Sequence, residues 1–158
     1  MNGKTLTSLA ALMENSLADL QADCIALAIP SPFPGCVFVL ARGQSFPDAP
    51  ELVPVSTTGN SLCQKVLQSG EDVQAHFGST AARCGLMAAE ELSSYCGTPV
   101  FAPDGSGTLA SLSAMTRMSR IWSRGDRDRL HGLAAEIARH GIPIWAGTAA
   151  QKLGDARR

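Results

Sequence analysis

The stretch Ser94–Met115, SYCGTPVFAPDGSGTLASLSAM, decides the fold. At its centre, Pro103-Asp104-Gly105-Ser106-Gly107 is a hairpin turn, because Asp-Gly supplies the positive φ that a tight turn needs. Thr108 to Met115 alternates like a strand. Leu109, Ser111, Ser113 and Met115 share one face; Ala110, Leu112 and Ala114 share the other. Ser94 to Ala102 reads as its partner, interrupted by Gly97 and Pro99, and a proline there implies an edge position or a bulge. Two strands joined by so short a turn are antiparallel.

A second hairpin lies towards the N-terminus. In Cys24–Ile29 the residues Ile25, Leu27 and Ile29 point one way, and the smaller Cys24, Ala26 and Ala28 the other, where they have room for a covering helix. The loop Pro30-Ser31-Pro32-Phe33-Pro34-Gly35 cannot continue a strand, since its prolines lack donors and fix φ. Cys36–Ala41 returns with both faces apolar, as an interior strand would. Before this hairpin, Leu6, Leu9, Ala10, Met13, Leu17 and Leu20 form one helical stripe, closed without a glycine. After it come a short strand, Glu51–Val55, and N-cap chemistry over Thr57–Ser61. A helix over Ser61–Ser69 follows, with Leu62, Cys63, Val66 and Leu67 inward and Gly70 as its stop. Asp72–Ala75 reads as a brief strand, and residues 76–92 as loop and loose helix. At the far end Ser123 or Asp126 caps a helix with the stripe Leu130, Leu133, Ala134, Ile137 and Ala138. The order helix, strands, short helices, strands, helix gives an α+β domain: a central antiparallel sheet with helices gathered mainly on one face.

The length, 158 residues, suits one domain, and such a chain buries enough surface to need no disulfide or metal framework. The boundaries expected are a folded body over 1–140 and a loosely ordered tail over 141–158, from which Ile142, Ile144 and Trp145 can dock back. A formal net charge of −1 argues against a general nucleic-acid partner, which requires clustered cations. The N-terminus lacks a secretory pattern, and no apolar run reaches the roughly 18–20 residues of a bilayer span. Five scattered cysteines without a CxxC read as reduced thiols. A cytoplasmic protein with no membrane partner is the expectation.

Four stretches resemble the GAF domain family. Gly59–Val73, GNSLCQKVLQSGEDV, is similar to the segment where a glycine opens a helix that ends at a "sGep" turn. Ser94–Val100, SYCGTPV, resembles the "SyLGvPl" strand. Asp104–Leu109, DGSGTL, resembles the "dGkviGtL" hairpin but is two residues shorter. Trp122–Asp126, WSRGD, resembles "WspeDl" before the last helix. The resemblance implies a sheet with the terminal helices on one face and a ligand pocket on the other, under short helices and loops. It also implies a sensory or regulatory module in signal transduction, often a homodimer through the terminal helices. Leu12 and Ala18, outside the main stripe of the first helix, offer a little apolar surface for that.

Candidate ligand-binding residues are Cys63, His76, Met87, Tyr95, Ser111 and Ser113. The two serines share one strand face and can donate to a small polar ligand; Tyr95 is the single tyrosine; His76 falls in the loop after a short strand, where such pockets open. One lineage of the family, the free methionine-(R)-sulfoxide reductases, uses thiols in this region. In that alternative Cys63 and Cys84 are the catalytic pair. The ordinary reading of each cysteine is a small buried hydrophobe. The reductases also carry acidic residues on the strand after the hairpin, where this chain offers Leu109, Ser111, Ser113 and Met115. A third alternative is a non-sensing dimerisation or partner-docking module with a filled pocket. No cofactor or metal is expected: no cysteine is followed by histidine, as bilin attachment requires in this family, and His76, His131 and His140 have no second ligand at a metal spacing. Arg117, Arg120, Arg124, Arg127 and Arg129 crowd one loop, either as a solvated rim or as a surface for an acidic partner protein or an anion.

Overall fold

A computed structural model describes residues 3–44, 46, 49–58, 61–76, 87 and 91–142. The elements run α1 (Gly3–Leu20), β1 (Cys24–Pro30), β2 (Cys36–Gly43), β3 (Val53–Ser56), α2 (Leu62–Ser69), β4 (Val73–His76), β5 (Ser94–Phe101), β6 (Thr108–Thr116) and α3 (Arg124–His140). Among the described residues six strands form one sheet in the order β3-β2-β1-β6-β5-β4, antiparallel at every pairing. The edge strands β3 and β4 have four residues each, which limits the unpaired backbone they present to other chains.

The alternation in β1 sorts the two faces. Ile25, Leu27 and Ile29 pack with Leu40, Cys96, Val100, Leu112 and Ala114 against the stripes of α1 and α3. Cys24, Ala26 and Ala28 fall on the opposite face with Val37, Val39, Tyr95 and Met115, under α2 and Met87. The bulky residues therefore meet the two long helices, and the small ones leave space on the other side. One sequence expectation fails here. Leu109 does not share the face of Ser111 and Ser113 but packs on the terminal-helix core. The cause is a bulge between Val100 and Phe101, where Leu109 is the extra residue of β6 and the alternation breaks. Pro99 sits just beyond Gly97, where the pairing with β4 ends, so β5 is locally an edge there.

Helix ends follow local chemistry. Ser123 and Asp126 form a reciprocal capping box at the start of α3, and Ser61 caps α2 by accepting from the Gln64 N–H. Gly70, at φ 66°, closes α2. α1 ends on Gln21 at φ 49°, a left-handed position taken without glycine. Gln21 N–H donates to the Ala18 carbonyl and Ala22 N–H to the Leu17 carbonyl, the paired bonds of a Schellman stop. The carbonyls of Leu20 and Gln21 at the helix end accept from Arg120 Nη1, at 2.7 and 2.9 Å. The same guanidinium reaches Asp126 at 2.9 Å and lies 4.2 Å from the centroid of the Trp122 ring. Arg120 thus ties the end of α1 to the start of α3. Its backbone N–H donates to Ser94 Oγ at 2.7 Å, and that hydroxyl also meets the Met118 carbonyl at 3.5 Å and His76 Nδ1 at 3.4 Å.

At the other end of α3, Ile142 is buried in the terminal-helix core, as the tail reading expected of it. Ile144 and Trp145 lie outside the described residues. Leu12 packs on the chain's own core, which leaves Ala11 and Ala18 as the exposed apolar residues of α1.

Candidate functional site

The face of the sheet away from the terminal helices holds a small cavity of about 40 Å³. It is lined by Ala26, Ala28, Val39, Val55, Ser56, Ser61, Cys63, Tyr95, Ser113 and Met115. Its floor is small because β1 and β6 place Ala26 beside Ser113, with Ala28 next along β1; Ser111, paired with Ala28, is on the same sheet face but does not itself line the cavity. Space for an ordered water, or for a molecule of a few atoms, results. Ser113 Oγ donates to the Ala26 carbonyl at 3.4 Å, and Cys63 Sγ lies 3.1 Å from Ser61 Oγ. Ser111 is 1% exposed, and its Oγ has no hydrogen-bond partner among the described residues. The Tyr95 ring lies along β5 over Gly97, whose missing side chain makes room for it.

The sequence matches no family model and no curated protein. Its shape does match solved structures. The GAF domain of an Acinetobacter phosphoenolpyruvate-protein phosphotransferase superposes with a TM-score of 0.67 at 18% identity, covering 86% of this chain and 81% of that one. The GAF domain of a two-component sensor histidine kinase from Bacillus halodurans gives 0.64 at 17% identity, over 85% of this chain and 92% of that one. The fold is that of a GAF domain. A third neighbour on this fold is the free methionine-R-sulfoxide reductase of Neisseria meningitidis, solved with its substrate, at 0.64 and 14% identity over 96% of this chain and 83% of that one.

Within the GAF fold, five of the six residues singled out in the sequence share the cavity face: Cys63 and Met87 pack from above, and Tyr95, Ser111 and Ser113 belong to the floor strands. His76 does not join them. It is the last residue of β4 and pairs with Ser94, while its neighbour Ala75 pairs with Tyr95. Successive strand residues alternate faces, so His76 shares the helix side of the sheet with Ser94 and bonds to it. Cys96 also lies on that side, within the helix core. Burial, helped by the Asp72 carboxylate, pushes its thiol up to about 12. It stays protonated at neutral pH and is a packing residue. Cys84 lies outside the described residues.

Ser61 and Ser56 were not singled out in the sequence, and both line the cavity. Ser61 was legible as a helix cap, and its side chain does cap α2. That the same hydroxyl borders the cavity depends on where α2 lands, which no local pattern states. No charged side chain lines the cavity among the described residues. The described residues also contain no cluster of histidine, cysteine and carboxylate fit to hold a metal, and no helix long and apolar enough to cross a membrane. A larger groove, about 500 Å³, runs on the other face between α3 and the exposed end of β5. Asp72 closes one part of it, accepting from Thr98 Oγ1 at 2.7 Å and lying 2.7 Å from His131 Nε2.

Proposed function

We propose that this chain is a sensory GAF module whose ligand is a small, uncharged, hydrogen-bonding molecule held on the sheet face that carries Ser111 and Ser113. The observation that carries this reading is the Ser111 hydroxyl. A buried polar group without a partner costs about 1–3 kcal/mol, so a protein keeps one where a water or ligand completes it. It stands across from Ala28, which lines the cavity. The absence of charge among the described lining residues suits a neutral ligand. The same strand offers its other face, Leu112 and Ala114, to the terminal helices, so a ligand that shifts β6 acts directly on their packing. In this reading the helices deliver the output, by pairing with a second copy or by docking a partner protein.

Native mass spectrometry of the purified protein, repeated after denaturation, is the direct test. A small mass that leaves on denaturation supports sensing. A bare mass that stays bare after incubation with a small-molecule extract removes the reading. Ser111→Ala separates binding from folding. Without ligand, it is expected to change stability by less than about 1 kcal/mol, and towards stabilisation, because it removes an unpaired buried hydroxyl. It is expected to weaken ligand binding about tenfold, or ~1.4 kcal/mol. A clear loss of stability in the ligand-free variant would show that Ser111 serves the fold.

A thiol reductase is the second reading, supported by Cys63 lining the cavity. It needs a second thiol on the same face, and Cys96 is excluded by lying across the sheet. Reduction of free methionine-(R)-sulfoxide that disappears in Cys63→Ser would establish this reading; turnover at background in the unaltered protein would end it.

A further inference from the structure

Between β6 and α3 the chain does something unusual for an apolar residue pair. Met118 is 81% exposed and Ile121 is 85% exposed, three positions apart, while Trp122 beside them is buried. Their exposure is held in place by the backbone. Thr116 Oγ1 donates to the Met118 carbonyl at 2.7 Å, the Arg117 N–H donates to Asp23 at 2.8 Å, and the Arg120 N–H donates to Ser94. The Arg120 guanidinium clamps the following turn through Asp126 and the α1 carbonyls. A loop pinned at so many points holds its two apolar side chains outward, so burying them against a partner remains favourable.

The charge around this knob is positive in a chain whose formal net charge is −1. Five arginines (117, 120, 124, 127 and 129) stand against Asp23, Asp126 and Asp128. Arg117 pairs with Asp23, and Arg120 and Arg129 both turn to Asp126. Arg124 is exposed beside Ile121. We infer that the loop 117–124 is a docking knob for an acidic protein segment carrying aliphatic side chains, which cover Met118 and Ile121 while its carboxylates meet Arg117 and Arg124. A membrane fits less well. Two apolar side chains give only marginal anchoring, and the exposed Asp23 carboxylate beside Arg117 opposes a uniformly anionic surface.

The test uses the full chain and a labelled synthetic peptide that alternates glutamate pairs with leucines, read by fluorescence anisotropy. Binding is expected to weaken about tenfold or more in Met118→Ser/Ile121→Ser. It is also expected to weaken in Arg124→Glu and when salt rises above physiological strength, with Arg124→Lys retaining most of it. All these positions are exposed, so unchanged thermal unfolding verifies the fold. No binding, or binding indifferent to these substitutions, overturns the inference. Binding of phosphatidylserine vesicles in preference to the peptide overturns it in favour of a membrane. A dimer that the double variant dissociates overturns it in favour of self-association.

Discussion

Arg120→Ala is expected to lower stability by about 3 kcal/mol. For a chain of this size that is a fall of roughly 10 °C in Tm. The guanidinium serves three structures at once. It satisfies the Leu20 and Gln21 carbonyls at the end of α1, where a cation also meets the negative end of the helix dipole. It pairs with Asp126, whose side chain is 11% exposed, and it stacks on Trp122. Hydrogen bonds from a charged donor are worth about 1.5–3 kcal/mol, and stacking on an indole adds about 0.5–2 kcal/mol. Removal also leaves Asp126 in a partly dry site with only the more distant Arg129, at 3.8 Å, as counter-charge. Lysine preserves the charge but cannot fork to two helix carbonyls and a carboxylate together, so Arg120→Lys is expected to recover less than half of the loss. Urea denaturation of the three proteins measures this, and a loss below about 1 kcal/mol would mean the staple is ornamental.

Acid tests the same cluster. Burial alone would raise the Asp126 carboxyl, but hydrogen bonds from Ser123 and Arg120 outweigh it and hold the group below its ordinary range. A carboxyl lowered on folding stabilises the protein above its unfolded value, near 3.9, and loses that contribution as pH falls through the folded value. Below about pH 4 the Arg120 staple therefore weakens, and the cost of Arg120→Ala is expected to shrink with it.

Gly97→Ala is the second large effect, expected at about 2 kcal/mol with ligand binding reduced tenfold or more. The backbone at Gly97 needs no special φ; the constraint is the Tyr95 ring. A methyl there falls 2.7 Å from Tyr95 Cε1 and 2.8 Å from Cζ, so the ring must leave its place on the cavity floor. If that contact is the cause, Gly97→Ala costs far less in a Tyr95→Ala background, giving a coupling of about 1 kcal/mol or more in the double-mutant cycle. Additive losses would place the constraint elsewhere.

What was legible in the chain was local. Asp104-Gly105 announced the β5–β6 hairpin, Ser123 and Asp126 announced the α3 cap, and β1 announced its two unlike faces. The alternation of Thr108–Met115 likewise put Ser111, Ser113 and Met115 on one face. The errors arose where one residue of register decides a side. β4 begins and ends one residue later than its pattern suggested, which draws His76 into the strand and turns it to the helix side. The bulge at Val100/Phe101 moved Leu109 in the same way. The arginine run was legible as a cationic loop, but the work of Arg120 was not. Its partners at Leu20 and Gln21 are about a hundred residues away and carry no side-chain signal, being main-chain carbonyls.

The hydroxyl of Ser94 has a consequence for proton accounting. It owns one hydrogen and two lone pairs. The Arg120 N–H occupies one lone pair. When His76 carries a hydrogen on Nδ1, the ring fills the second, and the serine hydrogen goes to the Met118 carbonyl. When Nδ1 is bare, the ring nitrogen and the carbonyl compete for that single hydrogen, from 3.4 and 3.5 Å. The tautomer of a histidine on the edge strand is thereby written into the bonding of the β6–α3 loop, with Thr116 as the second donor that keeps the Met118 carbonyl served in either state.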